Sequence, residues 1–259
     1  MTPTEEQIRK DIVEVGRRMY ARHLISGGDG NISVLREDGV IMTTPTGMSK
    51  GFLEPDDIVI TDLDGKKIQG KREPSSELLM HLSCYRNRPD VRSVVHAHPP
   101  FCTGFAVAGI PLDKALLAEV IVTFGCIPVA PYGTPSTVEL ATSVDDQIKT
   151  HDALLLANHG AVTVGHELFA TYFKMETLEH YAHINLIAKM LGRENVLPAE
   201  EISKLAALRS RYGIKGPDPF TEACPIPLER VTRKEETITL TRAQLIDLIS
   251  EAIRSVGSV

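Results

Sequence analysis

Four side chains have the types and spacing of a metal site: Glu77, His96 and His98 in the triplet His96-Ala97-His98, and His159 in Asn158-His159-Gly160. On a β-strand alternate side chains face the same way, so His96 and His98 offer two imidazoles to one cation. Neutral imidazole nitrogen and carboxylate oxygen are ligands for zinc or another divalent transition metal, and a catalytic site keeps one position open for substrate. The four residues come from three separate stretches. Local spacing therefore supports only the His-x-His half, and the fold must bring the rest together.

Three short polar pairs accompany these candidates: Gly30-Asn31, Thr46-Gly47 and Ser75-Ser76. Each puts small residues with hydroxyl or amide donors at a turn, where backbone N–H groups can converge on an anion such as phosphate. Alone, each pair is ordinary turn chemistry. Ser75-Ser76 is also placed to open a helix, whose N-terminus adds partial positive charge. Glu77 follows directly, so a phosphate on the serines lies within one small molecule's reach of a metal on the carboxylate.

The elements that must position these groups are legible as periodicity. Apolar Ile8, Ile12, Val15, Met19 and Tyr20 at helical spacing predict a helix over 5–24, capped by Thr4. The Gly-rich run 26–31 breaks it, and strand pairs follow at 32–34 with 39–43 and at 57–61 with 67–69. A helix is expected from Pro74 to Arg86, with proline in its first turn and a hydroxyl cap. A buried strand at 93–98 follows, then short helices at 103–108 and 114–122. An amphipathic helix at 137–150, strands at 153–157 and 160–164, and helices at 167–191 and 200–212 complete the set. Tight turns join several strand pairs, so the sheet should be mostly antiparallel and layered with helices.

At 259 residues and 42% hydrophobic composition the chain can bury a substantial core, expected as one large domain. A formal charge of −6 argues against a nucleic-acid surface, and Arg86 to Arg88 reads as a solvated helix end. No apolar run is long enough for a membrane span and residues 1–10 are not signal-like, so a cytoplasmic protein is expected. Cys84, Cys102, Cys126 and Cys224 lack paired spacing and read as buried thiols, with Cys102 a candidate site-wall residue. His81, one helical turn beyond Glu77, can support the site from behind. His23 reads as a charge partner at a helix end, His151 and His166 as loop residues, His180 and His183 as a solvated face, and Asp145-Asp146 as a polar face.

The last stretch differs from the rest. Residues 215–240 are Pro-rich and aperiodic, a linker. Residues 241–259 carry an apolar stripe of Leu245, Leu248, Ile249, Ala252, Ile253 and Val256, an isolated amphipathic helix that needs a partner surface. That surface is the chain's own body, a sister subunit or another protein.

Gly30-Asn31, Pro45-Thr46-Gly47, Pro74-Ser75-Ser76-Glu77, His96-Ala97-His98, Ala130-Pro131-Tyr132 and His159-Gly160, in this order and spacing, resemble the class II aldolase/adducin family. The likeness runs over roughly residues 5 to 213, where the chain is similar to the family's L-fuculose-1-phosphate aldolase branch. It implies a three-layer α/β/α sandwich with a central mainly antiparallel sheet over residues 1–214, assembled as a homotetramer with sites at subunit interfaces. It further implies zinc on Glu77, His96, His98 and His159, and substrate phosphate on Gly30, Asn31, Thr46, Gly47, Ser75 and Ser76. The implied reaction is retro-aldol cleavage of a ketose 1-phosphate to dihydroxyacetone phosphate and an aldehyde, through an enediolate that the Lewis acid stabilises. Glu77 is then both ligand and general base, and Tyr212 protonates the aldehyde oxygen at a neighbouring subunit's site.

Two departures bear on substrate. Arg209 stands where the aldolase branch has phenylalanine, and Glu119 occupies a segment that there carries a second tyrosine. Pentulose-5-phosphate 4-epimerases of the family carry aspartate at the position of Glu77, which favours the aldolase. A methylthioribulose-1-phosphate dehydratase and decarboxylases share the metal triad. Adducin-like binding modules lack the ligands. The C-terminal helix resembles peptides that dock enzymes onto shell proteins of bacterial microcompartments, an alternative location inside the cytoplasm.

Overall fold

The computed structural model describes residues 3–211. Tyr212, the expected linker at 215–240 and the expected helix at 241–259 lie outside the described residues. Among the described residues eight strands form one sheet in the order β4-β3-β2-β1-β5-β8-β7-β6. They are β1 (Asn31–Leu35), β2 (Ile41–Thr43), β3 (Val59–Thr61), β4 (Lys67–Gln69), β5 (Ser93–Ala97), β6 (Val129–Ala130), β7 (Ala153–Leu156) and β8 (Gly160–Gly165). Every pairing is antiparallel except β6 with β7. Seven α-helices among the described residues accompany them: α1 (Glu5–Ala21), α2 (Leu78–Asn87), α3 (Pro100–Ala108), α4 (Ala118–Thr123), α5 (Val138–Ile148), α6 (Leu168–Met190) and α7 (Ala199–Arg211).

The helices sort onto the two faces of the sheet, giving the expected three layers. On α1 the Thr4 hydroxyl accepts from the Gln7 amide, and Ile8, Ile12, Val15 and Met19 form one buried stripe, whereas Tyr20, expected in it, is exposed and packs on Phe52 at the surface. That stripe joins α3, α6 and the alternate strand residues Ile32, Met42, Val95 and Ala97 in one core. The opposite face carries α2 and α5, packed through Leu78, Leu82, Leu140, Val144 and Ile148 onto Ile41, Val94 and Val162. On α7, the buried Arg209 donates to the Val122 and Thr123 carbonyls at 2.6 and 2.9 Å, satisfying the end of α4. No helix among the described residues is long and apolar enough to cross a membrane.

Five local readings change. Helix α2 starts at Leu78 with Glu77 at its N-cap, and the Ser75 hydroxyl accepts from the Glu77 amide at 3.3 Å instead of capping a helix opened by Pro74. The two-residue β6, too short for a periodic signal, pairs parallel with β7. Cys84 and Cys102 are buried free thiols, whereas Cys126 is disulfide-bonded. Arg88 is not solvated. It is 5% exposed, and its guanidinium contacts Asp152 at 2.8 Å, grips Asp90 with two bonds and donates to the Ile148 and His151 carbonyls. Lys174 reaches the other Asp152 oxygen at 2.7 Å. Asp145 is likewise more than a polar face, since it accepts from Ser83 and Asn87 and ties α5 to α2.

Removing one partner of a buried ion pair leaves an uncompensated charge. Asp152→Ala should therefore lower unfolding free energy by about 3–5 kcal/mol in urea titration, while Asp146→Ala on the exposed side of α5 leaves it within about 0.5 kcal/mol. A second prediction concerns His81, fully buried between α2 and the sheet. Burial pushes its pKa down to about 3, with the charge of His96 adding to the effect. The unfolded chain binds this proton near pH 6.5 and the folded chain does not. Stability present above that pH is thus lost as pH falls from about 6.5 toward about 3. Urea midpoints at pH 7 and pH 5 should show it, a loss on the order of 2 kcal/mol from this imidazole.

Candidate metal centre and active site

The register of three strands assembles the imidazoles. In β5, His96 lies opposite Asn31 of β1 on one side and Val162 of β8 on the other. His98 follows one residue beyond the end of β5. His159 sits in the turn between β7 and β8, after Asn158, whose φ of 55° is left-handed. Gly160 makes this turn fit, because a Cβ there would lie 2.4 Å from the Ala97 carbonyl oxygen and 2.7 Å from His98 Cδ2.

The result is a ring of donors around one point. The nitrogens of His96, His98 and His159 lie within 4.8 Å of one another. Glu77 Oε2 is 3.3 Å from His96 Nε2, and Glu77 Oε1 is 3.1 Å from His159 Nε2. His96 Nδ1 faces the Ala161 carbonyl at 2.9 Å, which requires its proton on that atom and leaves the Nε2 lone pair facing inward. Asp29 lies 3.5 Å from His98 Nδ1 and favours the same tautomer there. The two Nε2 atoms then meet at 3.1 Å, lone pair against lone pair unless a proton or cation sits between them. Three imidazole nitrogens and one carboxylate oxygen on one point fit the zinc donor set. The described residues contain no other such cluster of three His, Cys, Asp or Glu residues.

The electrostatics favour the ligating forms of Glu77 and His98. Burial pushes the Glu77 carboxyl upward, but the charges and hydrogen bonds of His96 and His159 together prevail and hold it well below the usual range. Burial, then the neighbouring imidazoles, pushes His98 down to about 3.

Beside the cluster is a polar cavity. Gly30, Asn31, Thr46, Gly47, Ser75 and Ser76, the six residues expected at a phosphate, all line it together with Glu77, His98 and His159. Two segments distant in sequence are pinned to make its floor: Thr46 N donates to the Glu73 carbonyl and Ser75 N to the Thr44 carbonyl, both at 3.1 Å, around a Pro45–Pro74 bridge. At Gly30, with φ 69°, a Cβ would strike Ile25 at 2.7 Å and the His96 carbonyl at 2.8 Å. Asn31 Nδ2 donates to Glu77 Oε2 at 2.7 Å.

Lys50 was not legible as a site residue. It is 3% exposed, lines the cavity, and its ammonium donates to the Gly28 and Met48 carbonyls at 2.5 and 2.9 Å. Burial lowers its pKa, and the nearby charges of Asp29 and Glu77 oppose that shift. A single lysine after the Thr46-Gly47 turn carries no motif, so only tertiary structure reveals it.

Other candidates fall elsewhere. Glu119 is exposed on the first turn of α4 and Tyr132 is 58% exposed; neither lines this cavity. Cys102, expected as a site-wall residue, does not line this cavity: it is buried at the start of α3, its amide bound to Glu179 and its thiol pushed well up by burial, which leaves it inert. His23, His180 and His183 border a different depression, where His183 stacks on Phe101 with ring centroids 3.8 Å apart.

Comparison with known proteins agrees with this geometry. The chain is 36% identical over 208 residues to a 5-deoxy-D-ribulose 1-phosphate aldolase of Bacillus thuringiensis serovar kurstaki, covering 79% of this chain and 96% of the relative. It is 33% identical over 209 residues to a 3-oxo-tetronate 4-phosphate decarboxylase of Pectobacterium atrosepticum, covering 78% and 94%. A solved structure of L-fuculose 1-phosphate aldolase superposes with a TM-score of 0.75 at 30% identity, covering 82% of this chain and 99% of that one. The profile of the Class II Aldolase and Adducin N-terminal domain family matches residues 10–186. With its sheet, its imidazole ring and its sequence in accord, the chain belongs to the class II aldolase and adducin family.

Proposed function

We propose that this protein is a zinc-dependent lyase that cleaves a ketose 1-phosphate to dihydroxyacetone phosphate and an aldehyde. The observation that carries the reading is the adjacency of two chemistries in one cavity, an acceptor-rich cation cluster and a donor-rich anion pocket with Lys50 buried in its wall. A phosphate dianion needs donors and positive charge. Here the donors are turn amides, Asn31 and the serine and threonine hydroxyls, and Lys50 is the cation among the lining residues.

Zinc held by Glu77, His96, His98 and His159 would supply Lewis-acid polarisation of the substrate carbonyl. The chain's own groups do the rest. Lys50 and the hydroxyls fix the phosphate end, so the carbon skeleton extends toward His98 and Glu77. The Glu77 carboxylate, kept ionised, accepts a substrate proton as general base and returns it. Tyr212 is proposed to face the aldehyde oxygen, hydrogen-bonding it as the carbinol proton leaves and donating a proton to it only in the reverse, condensing direction, within a homotetramer whose C-terminal helix docks on its own assembly or on a shell protein.

The relative named for a decarboxylase supports a second reading, a phosphorylated 3-oxo acid losing carbon dioxide at the same centre. Both reactions break a carbon–carbon bond next to a carbonyl. A panel of ketose 1-phosphates, pentulose 5-phosphates and 3-oxo acid phosphates decides between them: triose phosphate product supports the aldolase, and carbon dioxide without triose phosphate replaces it with the decarboxylase.

On the substrate so found, Glu77→Gln should lower kcat by roughly 10²–10⁴-fold, measured with the variant loaded to the same metal content. Lys50→Met should raise KM for the phosphorylated ketose by about 10–100-fold, the loss of one charge-assisted hydrogen bond. Steady-state kinetics on the dephosphorylated analogue should show no such change.

A further inference from the structure

Behind the cavity a row of buried polar side chains interleaves two elements. Glu77, His81 and Tyr85 are spaced four apart at the start of and along α2, and Asn31 and Ser33 are alternate residues on the facing side of β1. Their contacts run in strict alternation. Tyr85 Oη lies 2.6 Å from Ser33 Oγ, Ser33 Oγ 2.7 Å from His81 Nδ1, His81 Nε2 2.5 Å from Asn31 Oδ1, and Asn31 Nδ2 2.7 Å from Glu77 Oε2. We propose that this chain of hydrogen bonds runs in one direction, from Tyr85 to Glu77, and that His81 acts through Asn31 as a positioning residue for the Glu77 carboxylate.

The direction follows from one charge. An ionised carboxylate only accepts, so Asn31 must turn its amino group to Glu77 and its carbonyl to His81. The opposite amide orientation would press carbonyl oxygen against carboxylate oxygen. With Oδ1 facing it, His81 Nε2 must carry the proton. In the neutral ring Nδ1 then accepts, so Ser33 donates to it, and Tyr85 donates to Ser33. His81 and Ser33 are fully buried and Asn31 is 3% exposed, so water cannot substitute for a missing member. Burial keeps the His81 ring neutral, as the assignment requires.

The function of the row is geometric. Without the Nε2–H bond, the Asn31 amide has nothing to fix its orientation, and Glu77 loses the donor that sets one oxygen while the other faces His159. Partners that orient a metal ligand typically contribute 10–100-fold in metal affinity. This inference rests on Glu77 being a metal ligand, as proposed above.

The test uses the full-length protein and zinc alone. A Gln amide nitrogen falls where His81 Nε2 lies, whereas an Asn amide reaches only the Nδ1 position. Competition with a chromogenic chelator should show zinc affinity within about 3-fold of wild type for His81→Gln and about 10–100-fold weaker for His81→Asn. A role in packing alone would weaken both alike, and that outcome overturns the proposal. Independently of any variant, long-range proton–nitrogen NMR of histidine-labelled wild-type protein should find His81 as the Nε2–H tautomer. A doubly protonated ring or the Nδ1–H tautomer overturns the assigned direction. Should wild-type protein bind no zinc at all, the metal reading fails, and the tautomer measurement still decides the direction of the row.

Discussion

One ionised carboxylate in a nearly dry place organises this molecule's working end. Glu77 meets the His96 and His159 imidazoles and the Asn31 amide, and an unpartnered buried charge is far too costly to survive folding. Its neighbours are therefore not free to choose their own orientations. The acceptor-only character of the carboxylate sets the amide, and the carbonyl and carboxylate behind His96 and His98 set those rings. The donor set that fits a divalent cation is assembled by ordinary hydrogen-bond accounting.

The sheet supplies the rigidity this requires. His96 lies in a strand buried along its whole length and flanked on both sides by antiparallel partners, so its backbone position is fixed by neighbours that carry other site residues. Asn31 enters from one neighbour, and the turn before the other delivers His159. The helices sealing the two faces divide the labour: α1, α3 and α6 close an apolar face, while α2 presents polar side chains to the sheet where the site needs support. The buried Arg88–Asp152–Lys174 network, remote from the cavity, secures α5 and the start of β7.

Much of this was legible from residue types and periods. The alternation of β5 put His96 and His98 on one side, Thr4 marked the cap of α1, and the apolar stripe marked its buried face save for the exposed Tyr20. Six motifs in order resembled a family, and the family holds. What stayed hidden was tertiary. Lys50 looks like any lysine in a loop until the chain folds it against the Gly28 and Met48 carbonyls, and Arg88 looks like a helix end until Asp152 arrives from 64 residues away. The spacing Glu77, His81, Tyr85 was visible as a helical face, but its meaning depends on Asn31 and Ser33 interleaving from another element. Short features escape for a different reason, since two residues of β6 carry no period at all.

The Lys50 ammonium has a further consequence. Its hydrogen bonds to two carbonyls hold the cation at the wall of the cavity before the proposed phosphate arrives, so the entropy of ordering a long flexible side chain is expended during folding and not at the encounter. Such a pocket receives its guest much as a rigid mould does. Its selectivity then lies in the shape already set by the backbone, and widening its appetite calls for altering loops rather than single side chains.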